Sequence, residues 1–170
     1  MHPEANDFLA RTLQPYHHKP VRVVEFGSRD VNGTPRGLFF EANYWGIDIE
    51  DGPAVDEVAN AAFWSPREDM PPFDVCICAE VFEHTNEWPL IVASAYTALR
   101  DGGLFVVTCA TEPRLPHSAG DGHNLEPDED EYYENVDPED LYIALEESGF
   151  SVDQLIKHPR GDLYAKAWKP

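Results

Sequence analysis

Short apolar runs alternate with helical segments along this chain, and this alternation constrains the fold more than any other feature. The runs are rich in valine, isoleucine and phenylalanine, which is typical of buried strands. Strands that alternate with helices predict an α/β, doubly wound fold, in which a parallel sheet carries helices on both faces. The predicted strands are residues 21–26, 44–49, 55–59, 73–79, 104–109, 150–157 and 163–168, and the predicted helices are residues 3–13, 35–42, 87–99 and 138–148.

The spacing of these elements predicts one domain over residues 1–170. Asp101, Gly102 and Gly103 are expected to end the helix over residues 87–99, since glycine readily takes the left-handed conformation of a helix cap. Residues 111–138 interrupt the alternation with a long acidic segment that contains several prolines. Segments of this length in compact domains are typically functional loops or disordered, so we expect a loop or lid here.

The charge balance excludes some classes of partner. The chain has 12 Lys and Arg against 32 Asp and Glu, a formal net charge of −20. Nonspecific nucleic-acid binding and attraction to anionic membranes both need clustered basic residues, so we expect neither. The acidic run over residues 126–140 lacks the spacing of a calcium-binding loop, and no metal site is predicted.

Cysteine usage and the termini predict a cytoplasmic protein. The three cysteines are Cys76, Cys78 and Cys109, an odd number without disulfide-framework spacing. Cys76 and Cys78 lie in one predicted strand and are expected to face the same side as small apolar residues. No signal peptide and no transmembrane stretch are visible.

Candidate binding residues follow the predicted strands, at the sheet edge where doubly wound folds bind their ligands. Gly27 follows the first strand and permits a tight turn. Asp48 follows Gly27 by 21 residues, near the spacing at which an acid accepts both hydroxyls of an adenosine ribose. The dinucleotide fingerprint G-x-G-x-x-G is not met, because Arg29 and Asn32 stand at its second and third glycine positions.

Carboxylates are concentrated at the same edge. Glu25, Glu80 and Glu83 stand at or just beyond strand ends, and His84 comes next. Three acids in one pocket favour a cationic ligand over a phosphorylated one.

Four segments together resemble the ordered motifs of class I S-adenosylmethionine-dependent methyltransferases, in particular the methyltransferase type 11-like group. They are residues 23–28, 44–48, 73–84 and 99–107, and the resemblance extends over roughly residues 20–157. It implies a Rossmann-like sheet of seven strands, mostly parallel, with an antiparallel last strand. It also implies S-adenosylmethionine as the cofactor.

The resemblance implies roles for individual residues. Glu25 and Gly27 would line the methionine and ribose side of the cofactor, Asp48 would hold the ribose hydroxyls, and Glu80 would lie under the methionine part. Asn60 and Ala61 match a position usually filled by Asp-Ala, where the side chain accepts from the adenine amino group. The predicted cofactor-binding set is Glu25, Gly27, Ser28, Asp48, Ile49, Asn60, Ala61 and Glu80.

These observations predict methyl transfer to a small-molecule or compact acceptor. His84 is the candidate catalytic residue, as a general base for a hydroxyl or amine acceptor. His117 and His123 lie on the long loop and could reach over the site, but surface positions on the loop are favoured for both. Two alternatives stay open: a cofactor-binding or acidic interaction protein without turnover, and a nucleotide-dependent oxidoreductase. The oligomeric state is not predicted.

Overall fold

Seven strands form one sheet in the structure, a computed structural model that describes residues 3–120 and 126–170. In chain order the strands are β1 Arg22–Phe26, β2 Asn43–Asp48, β3 Glu57–Val58, β4 Phe73–Ala79, β5 Leu99–Ala110, β6 Ser151–His158 and β7 Asp162–Trp168. Their spatial order is β3-β2-β1-β4-β5-β7-β6. β1, β2, β3, β4 and β5 pair in parallel, and β7 runs antiparallel to both β5 and β6. The predicted seven-stranded sheet with an antiparallel last strand is therefore confirmed.

The described residues contain three α-helices, which cover the two faces of the sheet. They are α1 Pro3–Leu13, α2 Trp88–Ala98 and α3 Pro138–Glu147. α1 buries Phe8, Leu9 and Leu13 in a cluster on one face, because these apolar residues recur on one side of the helix. α2 and α3 pack into the larger cluster on the other face. Within the described part of the chain, no helix has the length and apolar character needed to span a membrane.

The core confirms the interpretation of the cysteines. Cys76, Cys78 and Cys109 are free thiols, fully buried in the larger apolar cluster. Residues two apart on a strand point to the same face, so Cys76 and Cys78 both face the cluster to which α2 and α3 contribute, as small apolar side chains.

Two predicted helix boundaries are wrong. Residues 35–42 form only a short 3-10 helix, Pro35–Leu38, and the chain becomes extended at Phe39. The Thr34 hydroxyl accepts from the Arg36 N–H at 3.1 Å, which caps a single turn, and the next residues lead directly into β2. α2 ends at Ala98, and Leu99 already pairs with Phe73 of β4. Gly102 does take a positive φ of 71°, but it lies inside β5 instead of capping a helix.

The third predicted strand is shorter than expected. Residues 55–59 were predicted to be extended, and only Glu57–Val58 pair with β2. This edge strand ends as the Asn60 side chain starts another 3-10 helix, Ala61–Phe63. A further 3-10 helix, Phe82–His84, follows β4.

Candidate active site

A cavity of about 580 Å³ opens where β1, β2 and β4 end. After β1 the chain crosses to β2 on one side, and β4 returns to the other side of β1. The cavity thus lies at the point where the strand order reverses, which is where doubly wound folds bind ligands. Its volume is within the usual range for small-molecule sites, roughly 300–1,000 Å³.

The structure brings all nine predicted site residues to this cavity. Each contributes to its wall: Glu25, Gly27, Ser28, Asp48, Ile49, Asn60, Ala61, Glu80 and His84. Their common location follows from the parallel order of β1, β2 and β4, whose carboxyl ends meet at one edge. Their individual roles in binding or catalysis stay predictions.

Gly27 forms the tight turn after β1. Its φ is +75°, which L side chains rarely adopt, and a Cβ there would lie 2.1 Å from Cγ2 of Val81. The N–H groups of Gly27 and Ser28 both donate to the carbonyl of Ile47, at 2.9 and 3.0 Å. The turn therefore holds the backbone at the cavity wall without a side chain in the way.

Asp48 is held at the end of β2 by backbone hydrogen bonds. Its carboxylate accepts from the N–H of Arg29 at 3.0 Å and from the N–H of Glu50 at 3.0 Å. Each oxygen keeps a further lone pair for a ligand hydroxyl. The Arg29 guanidinium pairs with the Glu50 carboxylate, so its charge is partly neutralised by an acid at the same rim.

Glu25 is buried at the end of β1, with 3% of its surface exposed. Its Oε2 accepts from the Tyr44 hydroxyl at 2.8 Å and from the Thr34 hydroxyl at 3.4 Å. Burial raises the pKa of Glu25 to about 8, although the hydrogen bond from Tyr44 opposes this shift. At neutral pH this carboxyl is largely protonated.

Asn60 uses both ends of its side-chain amide. Oδ1 accepts from the Ala62 N–H at 2.9 Å, and Nδ2 donates to Oε2 of Glu87 at 2.9 Å. Glu87 also lines the cavity, a position that sequence reasoning missed. The available signal was its place at the start of the predicted helix over residues 87–99, on the segment that follows β4.

Two unpartnered oxygens belong to the cavity wall. Oε1 of Glu80 and Oγ of Ser28 are buried and have no hydrogen-bond partner within residues 3–120 and 126–170. Glu80 has a left-handed φ of 56°, and its N–H donates to the Thr108 carbonyl at 2.7 Å. A strained backbone and an unsatisfied carboxylate oxygen are features of ligand-binding positions.

Glu83 does not line the cavity, contrary to the expected pocket of three acids. The 3-10 helix after β4 turns its side chain inward, and the residue is fully buried. Burial and the nearby charge of Glu80 hold its pKa well above the usual range. The N–H groups of Glu83 and Ala110 face the carboxylate and oppose this shift, but neither forms a hydrogen bond of normal geometry with it.

Two histidines meet above Glu83. The rings of His84 and His117 are 5.1 Å apart, and both pack against Tyr133 at 5.5 and 4.9 Å. Burial and the neighbouring His117 lower the pKa of His84 to about 4, and burial lowers the pKa of His117. Both imidazoles are neutral at pH 7.

The long acidic segment reaches the cavity through part of its length. The described parts of residues 111–137 contain no helix or strand, and His117, Ser118, Ala119, Gly120 and Glu131 contribute to the cavity wall. His117 thus reaches the cavity, although a surface position on the loop was favoured for it. His123, considered for the same role, lies outside the described residues.

A family model described as a methyltransferase domain matches residues 1–155. The chain belongs to this methyltransferase domain family. Membership confirms the predicted resemblance, and with it methyltransferase as the class of enzyme and S-adenosylmethionine as the cofactor of the class. It also favours methyl transfer over the oxidoreductase alternative. No curated protein matches the chain.

Solved methyltransferases share the fold of this methyltransferase. An S-adenosylmethionine-dependent methyltransferase from Clostridium acetobutylicum aligns with a TM-score of 0.71 at 10% identity, over 99% of this chain and 92% of that one. The 1,6-didemethyltoxoflavin-N1-methyltransferase of Burkholderia thailandensis, solved with its substrate and S-adenosylhomocysteine, gives 0.67 at 18%, over 98% and 77%. The N-methyltransferase NodS of Bradyrhizobium japonicum gives 0.65 at 15%, over 98% and 95%. At these identities the likeness shows the fold alone.

Proposed function

We propose that this methyltransferase transfers a methyl group from S-adenosylmethionine to a small-molecule acceptor. The observation that carries the proposal is the acidic cavity at the strand-order reversal, which gathers every residue predicted to bind the cofactor. Its volume of about 580 Å³ suits a nucleoside-sized ligand together with a compact acceptor. The toxoflavin-type substrate of the structurally similar Burkholderia enzyme supports an acceptor of this size class.

The cavity residues fit the cofactor. S-adenosylmethionine supplies a methyl group bound to a positively charged sulfur. Asp48 is pre-positioned by two backbone N–H groups and has free lone pairs for the ribose hydroxyls. Glu25 and Glu80 place carboxyl groups on the side expected for the methionine part, and the unpartnered Oε1 of Glu80 needs a donor or cation there. Gly27 leaves room for the ligand against the backbone.

The adenine end is assigned to the opposite side of the cavity. Ile49 and Ala61 supply apolar contacts for a ring, and Asn60 and Glu87 supply polar groups for its edge. The Glu87 carboxylate offers more free lone pairs than Oδ1 of Asn60, which already accepts from the Ala62 N–H, so we assign the adenine amino group to this pair.

The acceptor is assigned to the space next to Glu80, His84 and Ser118. A general base works best with a pKa near the operating pH. With a pKa of about 4, His84 is a weak proton acceptor at pH 7, and its neutral lone pair is better suited to orient the acceptor. The contribution of the protein is then alignment and exclusion of water. Cytoplasmic location and the absence of nucleic-acid or membrane partners stay predictions.

Calorimetry with S-adenosylhomocysteine tests the cofactor placement. We expect binding by the wild-type protein and a loss of about 1.5–3 kcal/mol for Asp48→Ala, the scale for hydrogen bonds to a charged group. This corresponds to a roughly 10- to 150-fold weaker dissociation constant. Asp51→Ala is the control, because it removes the same charge from an exposed neighbour outside the cavity wall.

Two results would decide against the proposal. Wild-type protein that binds NADH but not S-adenosylhomocysteine would reject the cofactor. Equal affinities of Asp48→Ala and Asp51→Ala would reject the placement of the ribose. If the protein binds S-adenosylhomocysteine but transfers no methyl group to any member of a broad acceptor pool, the alternative of a cofactor-binding protein without turnover is favoured instead.

A further inference from the structure

We propose that Glu83, His84 and His117 form a binding site for one divalent transition-metal ion beside the cofactor cavity. One ligand atom from each residue lies within 4.8 Å of the other two. Glu83 and His84 come from the 3-10 helix after β4, and His117 comes from the loop after β5. The sequence predicts no metal site because these residues belong to separate segments and match no known ligand spacing.

The carboxylate of Glu83 is the first independent observation. The residue is fully buried, and neither oxygen has a hydrogen-bond partner in the described part of the chain. A buried carboxyl group without a partner is costly, and such groups are normally paired or coordinate metals. The positive charge of Arg114 acts on Glu83, but this guanidinium also bonds the buried carboxylate of Asp162 at 2.8 Å, so its charge is shared.

The orientation of His117 is the second observation. Its Nδ1 lies 3.3 Å from the carbonyl oxygen of Leu115. A carbonyl can only accept, so Nδ1 carries the proton and Nε2 keeps its lone pair. Metal-bound histidines commonly donate their second ring N–H to a backbone carbonyl, which fixes the tautomer and the ring. Packing of both imidazoles against Tyr133 holds them further in place.

The donor set favours a transition metal over Ca²⁺ or Mg²⁺. Two imidazoles and one carboxylate suit Zn²⁺, Fe²⁺, Co²⁺ or Ni²⁺, whereas Ca²⁺ and Mg²⁺ prefer oxygen-only sites. On a tetrahedral Zn²⁺ ion, ligand atoms ~2.1 Å from the metal lie ~3.4 Å apart. The present separations of up to 4.8 Å would close by about 1.4 Å through side-chain rotation. The nearby carboxylate of Glu80 adds negative charge that favours a dication.

Three protein ligands leave at least one coordination position for water or another ligand. His84 and His117 also line the cavity, so that position is accessible from the space assigned to the acceptor. An acceptor with an oxygen or nitrogen donor close to its methylated atom fits such a site. The metal site itself does not depend on the proposed methyl transfer.

Titration of untagged, EDTA-treated protein with Co²⁺ tests the proposal. We expect saturation at one Co²⁺ per chain, with the visible absorption of a nitrogen- and oxygen-coordinated ion and competition by Zn²⁺. His117→Ala and Glu83→Gln each remove one of the three ligands and should weaken Co²⁺ binding at least tenfold. Mutations around metal sites typically lower metal affinity by about 10- to 100-fold. His18→Ala is the control, since this exposed histidine stacks on Phe40 away from the cluster.

His117→Ala is the decisive variant, because its half-exposed loop position should leave folding intact even if Glu83→Gln misfolds. No Co²⁺ uptake by wild-type protein would overturn the proposal, and so would equal affinities of wild type and His117→Ala. S-adenosylhomocysteine binding is measured on the same samples. If wild-type protein binds Co²⁺ but not S-adenosylhomocysteine, the result counts against the proposed function and not against the metal site.

Discussion

The turn at Gly27 makes a quantitative prediction about stability. In Gly27→Ala the new Cβ keeps a φ of +75° and meets Cγ2 of Val81 at 2.1 Å. A left-handed backbone costs an L residue about 1–2 kcal/mol. Ordinary carbon contacts are ~3.5–4.0 Å, so Val81 or the turn must also move by more than an ångström, and such overpacking costs about 1–3 kcal/mol. We therefore expect Gly27→Ala to lower the free energy of unfolding by about 2–5 kcal/mol.

The chain offers a control for each of the two contributions. Gly33 has a φ of +98°, and nothing lies within 4 Å of its would-be Cβ, so Gly33→Ala reports the backbone cost alone. The double variant Gly27→Ala/Val81→Ala lacks the overlapping methyl group. Its free energy of unfolding should therefore lie below that of Val81→Ala by the backbone cost alone, without the overpacking cost. Urea unfolding of the five proteins measures both differences. A loss of stability in Gly27→Ala no greater than that in Gly33→Ala would contradict the prediction, and so would additive effects of the Gly27 and Val81 substitutions.

Three further predictions concern charged and polar groups of the cavity. Folded Glu25 keeps its proton up to a pKa of about 8, whereas the unfolded chain releases it near 4.5, so this group destabilises the protein as pH rises through that window. In urea unfolding, Glu25→Gln should thus be more stable than wild type at pH 8, by on the order of 3–5 kcal/mol. At pH 4 the two proteins should have similar stability, and a difference that does not change with pH would contradict this prediction. Glu87→Ala should weaken S-adenosylhomocysteine binding about two- to tenfold by calorimetry, and an unchanged isotherm would remove Glu87 from the adenine site. His84→Ala should bind S-adenosylhomocysteine normally but transfer methyl groups more slowly, and a rate equal to wild type would exclude a role at the acceptor.

The elements set by local pattern were predictable from the sequence. β4 was predicted over residues 73–79 and is found at Phe73–Ala79, because a short, mostly apolar run that follows two prolines is typical of a buried strand. Gly27 and Asp48 were predicted at the cavity for the related reason that parallel strands end at one edge. The ends of helices were less predictable. Leu99 continues the apolar spacing of α2, yet it pairs with Phe73, a tertiary contact that spacing along the chain does not contain.

Glu83 shows why side-chain direction escaped prediction. Glu25, Glu80 and Glu83 were expected to share a pocket because they stand at or just beyond strand ends, and the carboxyl ends of parallel strands meet at one edge. The chain leaves β4 through the left-handed residue Glu80 and then enters a 3-10 helix, so a position just beyond the strand end does not set the direction of the side chain. Glu80 remains at the cavity, and Glu83 turns into the protein beneath His84 and His117.

The amide at position 60 illustrates how a departure from a family pattern depends on its surroundings. An aspartate there would face Oε2 of Glu87, which lies 2.9 Å from Nδ2 of Asn60, and two carboxylates at that distance repel each other. Asn60 avoids the repulsion by donating to Glu87, and it still caps the following turn through its carbonyl oxygen. Glu87 thereby stays at the cavity wall with lone pairs free. In the proposed function, Glu87 provides the acidic acceptor that the resemblance places at position 60, and its hydrogen bond from the amide of Asn60 keeps it at the cavity wall.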